Sequence, residues 1–247
     1  PSAATQPASS STAARPAGIP EAEDIELLDL EVPTVVTAAR REQKITDIPA
    51  AVSVITAGDI RRSGARSVPD ALRLVPGVDV ADLASGAYAV SPRGYHGFLS
   101  NAVVVLVDGR QIFDSVFGGT LWGSWPFQLE DIDRIEVIRS PGGVVWGANT
   151  PNGVINIITK DPADQKGITF ATGGGSRGSW KEHVGYAFSD EKLRMRISGE
   201  YEANDGFVRG GSWLRRLDDD FKIGRMGVHA LYDAGPKDTC LLYTSDA

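Results

Sequence analysis

The chain has 247 residues and a formal net charge of −7, with 42% hydrophobic and 23% charged residues, which allows one large or two modest domains. An acidic balance without a clustered basic face argues against nucleic acid as a partner. One cysteine, Cys240, excludes an intrachain disulfide, and His96, His183 and His229 are scattered without zinc spacing, so no metal or cofactor is expected. No run approaches the roughly 18 apolar residues of a membrane-spanning helix; barrel strands, which carry only alternation, are not excluded by that. The sequence opens at Pro1 without a leader and reads as a processed or truncated product.

Residues 1–20 are rich in Ala, Ser, Thr and Pro and too poor in large apolar groups to offset the entropy of ordering. With the acidic stretch that follows, 1–30 reads as a disordered linker. Val32, Pro33, Thr34, Val35, Val36, Thr37 and Ala38 then form a β-prone heptad with no partner strand of its own; it reads as a linker or as a strand to be added to another sheet. From Gln43 the pattern is a compact α/β mixture. Ala51–Thr56 reads as a strand, and Thr56 with Asp59 forms a capping box for a helix that Gly64 ends. Ser67, Pro69 and Asp70 open a second helix running to a Pro76-Gly77 stop. Val103–Val107 is a buried-type strand ending in an Asp108-Gly109 turn. Arg134–Arg139 and Val154–Thr159 are further strands, with a helical turn expected over 144–148 between them.

After Asp161-Pro162 the period is 2 throughout. Leu193, Met195, Ile197 and Tyr201 share one parity, and Arg194, Arg196, Ser198, Glu200 and Glu202 the other. Trp180, Val184, Tyr186 and Phe188 line up the same way, opposite Lys181 and His183. Flanking strands are expected near 168–172 and 221–232. Alternation alone leaves a soluble sandwich and a membrane barrel equally open.

Several signals point to chemistry and fail on context. Gly173–Gly178 fits G-x-G-x-x-G, but Ser179-Trp180 opens another strand where dinucleotide binding needs a helix. No P-loop, nucleophile elbow or H-E-x-x-H occurs, and no catalytic constellation is found. Tyr95, His96, Phe98, Phe113, Phe117, Trp122 and Trp125 fall in glycine-rich, loop-like sequence; they suit a binding surface or a cover for the core.

The order of segments resembles the plug of TonB-dependent outer-membrane receptors. Ile48–Thr56, Asp59–Gly64, Asp70–Gly77, Arg93-Gly94, Val107–Arg110, Ile132–Arg139, Trp146–Asn149 and Gly153–Lys160 follow one another at the family's spacing. Ser140 stands where the family commonly has Gly, and Ser91-Pro92 replaces an apolar run. The resemblance implies an α+β plug, a small mixed sheet with short helices, over 43–163. The first antiparallel strands of a transmembrane β-barrel, about four, would follow over 164–239, out of about 22 in a complete barrel.

It further implies active import of a scarce nutrient, such as a ferric siderophore or cobalamin, across the outer membrane. A metal-chelate or vitamin-like ligand would bind outside, at the aromatic residues above. The 31–42 region, with Val32–Ala38 as the TonB box, would add a strand to TonB and its inner-membrane energising complex. Arg93 and Arg139 match positions that pair with barrel glutamates to lock the plug. A signal-transducing receptor of the same family and a soluble α/β binding or enzymatic domain are the alternatives. Residues 240–247 resemble read-through of a sequencing adapter and are expected not to be native.

Overall fold

The computed structural model describes residues 34–36, 43–84, 86–92, 94, 103–116, 118–124, 128–140, 152–176, 178–206, 220–235 and 238–246. All lie in one unit, Pro33–Ala247. The linker over 1–30 and the helical turn expected at 144–148 fall outside the described residues.

The N-terminal part begins with β1 (Thr34–Val35) paired to β2 (Gln43–Lys44), then β3 (Val52–Thr56). Helix α1 (Ala57–Ser63) starts where the sequence places it. Asp59 N–H donates to Thr56 Oγ1 at 3.2 Å and Thr56 N–H donates to Asp59 Oδ2 at 3.0 Å, satisfying two of the donors a helix start leaves open. Gly64, at φ 69°, ends it in the left-handed conformation that glycine adopts without penalty. Ser67 caps α2 (Val68–Leu72) through Asp70 N–H. This helix stops short of Pro76, because the N–H groups of Arg73, Leu74 and Val75 turn to carbonyls three residues back and tighten the chain into a turn.

A hairpin follows that alternation did not announce, β4 (Val78–Ala84) and β5 (Ala87–Pro92); its Ala, Ser and Gly content hides the period. Then come β6 (Val103–Val107) and β7 (Arg110–Gln111), joined through Asp108 at φ 47° and Gly109 at φ 77°, the paired positive φ values of a tight hairpin turn. β8 (Ile132–Ile138) and β9 (Gly153–Thr159) complete a mixed sheet in the order β3-β8-β9-β6-β7, with β6 and β9 parallel. Both faces of this sheet are buried, as its near-continuous Val/Ile runs require. One face, with Ile135, Val137, Ile155 and Ile157, packs against Ile60, Val68 and Leu72 of the helices; the other carries Val104, Leu106, Ile138 and Val154.

The chain then turns through Pro162–Gln165 into an antiparallel meander of β10 (Gly167–Gly174), β11 (Trp180–Ser189), β12 (Leu193–Asn204), β13 (Phe221–Gly235) and β14 (Asp238–Asp246). The meander has five strands: β10–β13 lie in the stretch expected to hold about four, and β14 falls mostly in 240–247. β14 pairs antiparallel along β13, and its Cys240–Ser245 stretch is the one read as adapter-derived. Gly173–Gly178 lies across the β10–β11 connection with no helix after it, as a hairpin requires.

Candidate functional site

The parity of the meander sets the site. A soluble sandwich buries its apolar face, and this sheet does the reverse. Ile168, Phe170, Val184, Tyr186 and Met226 are between 55% and 80% exposed, whereas His183, Arg196, Ser198, Glu200, Arg225 and His229 on the other parity are buried. Cross-strand pairs such as His183↔Glu200 and Arg196↔His229 keep the polar groups together on one face.

That face meets the mixed-sheet domain at the turn Leu129–Asp131, just before β8. Asp131 is the hub. Its Oδ2 accepts from Ser198 Oγ at 2.8 Å and its Oδ1 lies 3.2 Å from Arg196 Nε. Arg196 also donates to Lys160 O at 3.2 Å and to Gln165 Oε1 at 2.7 Å. Nearby, Lys181 Nζ lies 3.0 Å from Glu200 and 3.7 Å from Glu130. Arg225 joins Glu200 at 2.8 Å, Glu202 at 2.9 Å and Gly123 O at 3.3 Å. At the other end of the strands Arg194 binds Asp161 and Asp233, tying the connection between the two parts to β12 and β13. Such groups survive burial because each charge faces its opposite. Lys160 donates to Glu130 O at 2.6 Å, and burial first, then the neighbouring Arg61, pushes its ammonium below the usual lysine range.

At the opposite surface, Glu136 shares a parity with Ile138 and is fully buried. Arg134 Nε donates to its Oε1 at 3.0 Å, and the backbone N–H of Val36 donates to its Oε2 at 3.0 Å. Val35 is fully buried beside it. The expectation that the heptad has no partner strand is corrected: Thr34 and Val35 pair antiparallel with Lys44 and Gln43, so β2 supplies a short partner strand from the same chain. Of the heptad, Val32, Pro33, Thr37 and Ala38 lie outside the described residues.

Arg139, expected as a lock, donates to Pro76 O and, at 3.3 Å, to Ser53 Oγ; Arg93 is outside the described residues. Among the aromatics, Phe113 is exposed, whereas Trp122 packs against the main core cluster. Tyr95, His96, Phe98, Phe117 and Trp125 lie outside the described residues. Asp131, Arg196, Ser198 and Glu136 went unselected from sequence. For Arg196 and Ser198 the signal was the charged parity of β12, and alternation does not say what that parity faces.

Residues 44–154 match the family model described as the TonB-dependent receptor plug domain. The vitamin B12 transporter BtuB of Vibrio vulnificus is 34% identical over 175 residues, 70% of this chain and 28% of that protein. The iron-regulated outer membrane virulence protein of Vibrio cholerae is 39% identical over 181 residues, 71% of this chain and 25% of that protein. The chain thus spans about a quarter of the length of these curated relatives. The ferripyoverdine receptor of the outer membrane of Pseudomonas aeruginosa superposes with a TM-score of 0.67 at 19% identity, covering 86% of this chain and 27% of that one. At that identity the likeness is one of fold: a small mixed sheet with short helices, followed by antiparallel strands.

Proposed function

The chain belongs to the TonB-dependent receptor family, and from that premise we propose that its receptor imports a scarce nutrient across the bacterial outer membrane. The observation that carries this reading is the inverted polarity of β10–β13. An apolar face turned outward and a charged face turned toward the plug suit a barrel wall in lipid around a polar filling. A soluble enzymatic or binding domain would hide the apolar face, so that alternative loses its support; no catalytic step is ascribed to the chain.

The ligand class is a metal chelate or a vitamin-like corrinoid, in keeping with relatives named for vitamin B12 transport and iron regulation. The plug gates the path and Val32–Ala38 acts as the box that TonB pulls. The backbone of Thr34–Val36 supports this role: among the described residues it is held by two residues of β2 and the Glu136 carboxylate, which a competing strand can replace. Arg93 and Arg139 serve as plug–barrel locks toward strands beyond those in this chain, and the aromatics from Tyr95 to Trp125 face ligand where they are not, like Trp122, committed to the core. The test is site-directed cross-linking in the full-length receptor, with Val36→Cys against cysteines in TonB. Ligand-dependent cross-links are expected; none under any ligand condition would overturn the box assignment.

A further inference from the structure

Where the plug meets β11 and β12, three ionisable residues from three separate elements converge. Glu130 comes from the turn before β8, His183 from β11 and Glu200 from β12. His183 and Glu200 are direct cross-strand partners, so their side chains rise side by side from the buried face. A ring nitrogen of His183 and one carboxylate oxygen from each glutamate lie within 4.8 Å of one another. His183 is 2% and Glu200 5% exposed.

Hydrogen bonding inside this cluster is incomplete. Glu130 Oε2 and His183 Nδ1 are buried without a hydrogen-bond partner. Arg225 serves Glu200 Oε1, at 2.8 Å. Lys181 Nζ pairs with Glu200 Oε2 at 3.0 Å and lies 3.7 Å from Glu130 Oε2. His183 Nε2 is 4.0 Å from Asp131 Oδ1, beyond hydrogen-bond reach. A cavity of about 40 Å³ lined by Arg66, Trp122, Lys181, Glu200 and Arg225 adjoins the cluster. Orphaned polar atoms concentrated at one buried point call for a missing partner.

We propose that Glu130, His183 and Glu200 form a site for one divalent cation of borderline softness, Zn2+ being the best fit, which staples the plug to β11 and β12. One imidazole nitrogen and two carboxylates are a donor set such ions accept. The geometry assigns Lys181 a second role. Its ammonium is the resident counter-ion of the two glutamates, and metal entry displaces it. Lys181 Nζ also donates to the carbonyl of Arg66 at 3.5 Å, a partner it can keep when the glutamates take a metal. Two of its three ligands, His183 and Glu200, are buried in the plug–wall seam, and Glu130 is half-buried beside them.

The experiment uses the full-length receptor in detergent, stripped with chelator and titrated with Co2+ as a visible-absorbing probe, then with Zn2+ in competition. One equivalent of Co2+ with the absorption of a nitrogen–oxygen donor set, displaced by Zn2+, is expected. Lys181→Met removes the competing cation and tightens binding. His183→Ala and Glu200→Gln lower affinity at least about tenfold, since even outer-shell losses reach that size. Failure of both the wild type and Lys181→Met to take up Co2+ or Zn2+ overturns the proposal, as does unchanged binding in both His183→Ala and Glu200→Gln. Should those two variants not fold, the wild type and Lys181→Met decide the matter alone.

Discussion

Replacing Asp131 with alanine removes the carboxylate on which the plug meets β12. Two losses follow. The hydrogen bond from Ser198 Oγ, 2.8 Å long, is worth about 1 kcal/mol net. The Arg196 guanidinium, 3% exposed, loses the counter-ion 3.2 Å from its Nε. Breaking a buried pair by deleting one partner costs about 3–5 kcal/mol. Here the figure is lower, because Arg196 keeps Lys160 O and Gln165 Oε1 as acceptors, and because Asp131 retains 13% side-chain exposure. The combined cost is about 3 kcal/mol, or roughly a hundredfold rise in the seam's opening equilibrium. Hydrogen exchange of β8 and β9 amides in the full-length receptor measures it directly. Asp131→Leu with Arg196→Met should cost less than Asp131→Ala alone, since removing both charges leaves none orphaned. Protection that falls by less than about threefold in Asp131→Ala would refute the reasoning, as would a double variant worse than the single one.

Thr56→Ala should destabilise α1 by about 1 kcal/mol, the usual worth of an N-cap side chain, seen as faster exchange confined to 57–63. The same cap is acid-sensitive. Hydrogen bonds from Thr56 hold the Asp59 carboxyl below its ordinary 3.8, so its contribution is present above that value and is lost as pH falls through the folded-state pKa; the protection factors of α1, corrected for intrinsic exchange, should fall there and stay flat from pH 5 to 7. Gly153→Ala should disrupt the β8–β9 pairing. A Cβ there would sit 2.1 Å from Ile138 O at a backbone φ of 136°, costing at least about 2 kcal/mol. A Gly153→Ala receptor with native exchange in β9 would contradict that geometry.

What the sequence shows and what it hides follow from range. The capping box at Thr56 and the Asp108-Gly109 turn are written in three or four adjacent residues, so local chemistry reveals them. The strand parities of β11 and β12 are equally legible, because a period of 2 needs no partner to be seen. Which parity meets solvent is not local, which is why a sandwich and a barrel stay open until Ile168 and Phe170 are found exposed and Arg196 buried. The seam joins Asp131 to Ser198, 67 residues apart, and at the opposite surface Val36 reaches Glu136, 100 apart. Alternation in one strand carries no trace of either. The β4–β5 hairpin escapes for another reason: its small residues contribute too little hydrophobic contrast to mark a face.

The central claim is that the meander is a lipid-facing wall with its charged side turned to the plug. Nitroxide labels placed one at a time at Ile168, Val184 and Met226, and for contrast at Arg196 and Glu200, in the full-length receptor in bilayers test it most directly. Collisions with oxygen should be frequent, and with a water-soluble nickel chelate rare, at Ile168, Val184 and Met226, with neither reagent reaching Arg196 or Glu200. Free access of the nickel chelate to all three outward positions would contradict the account.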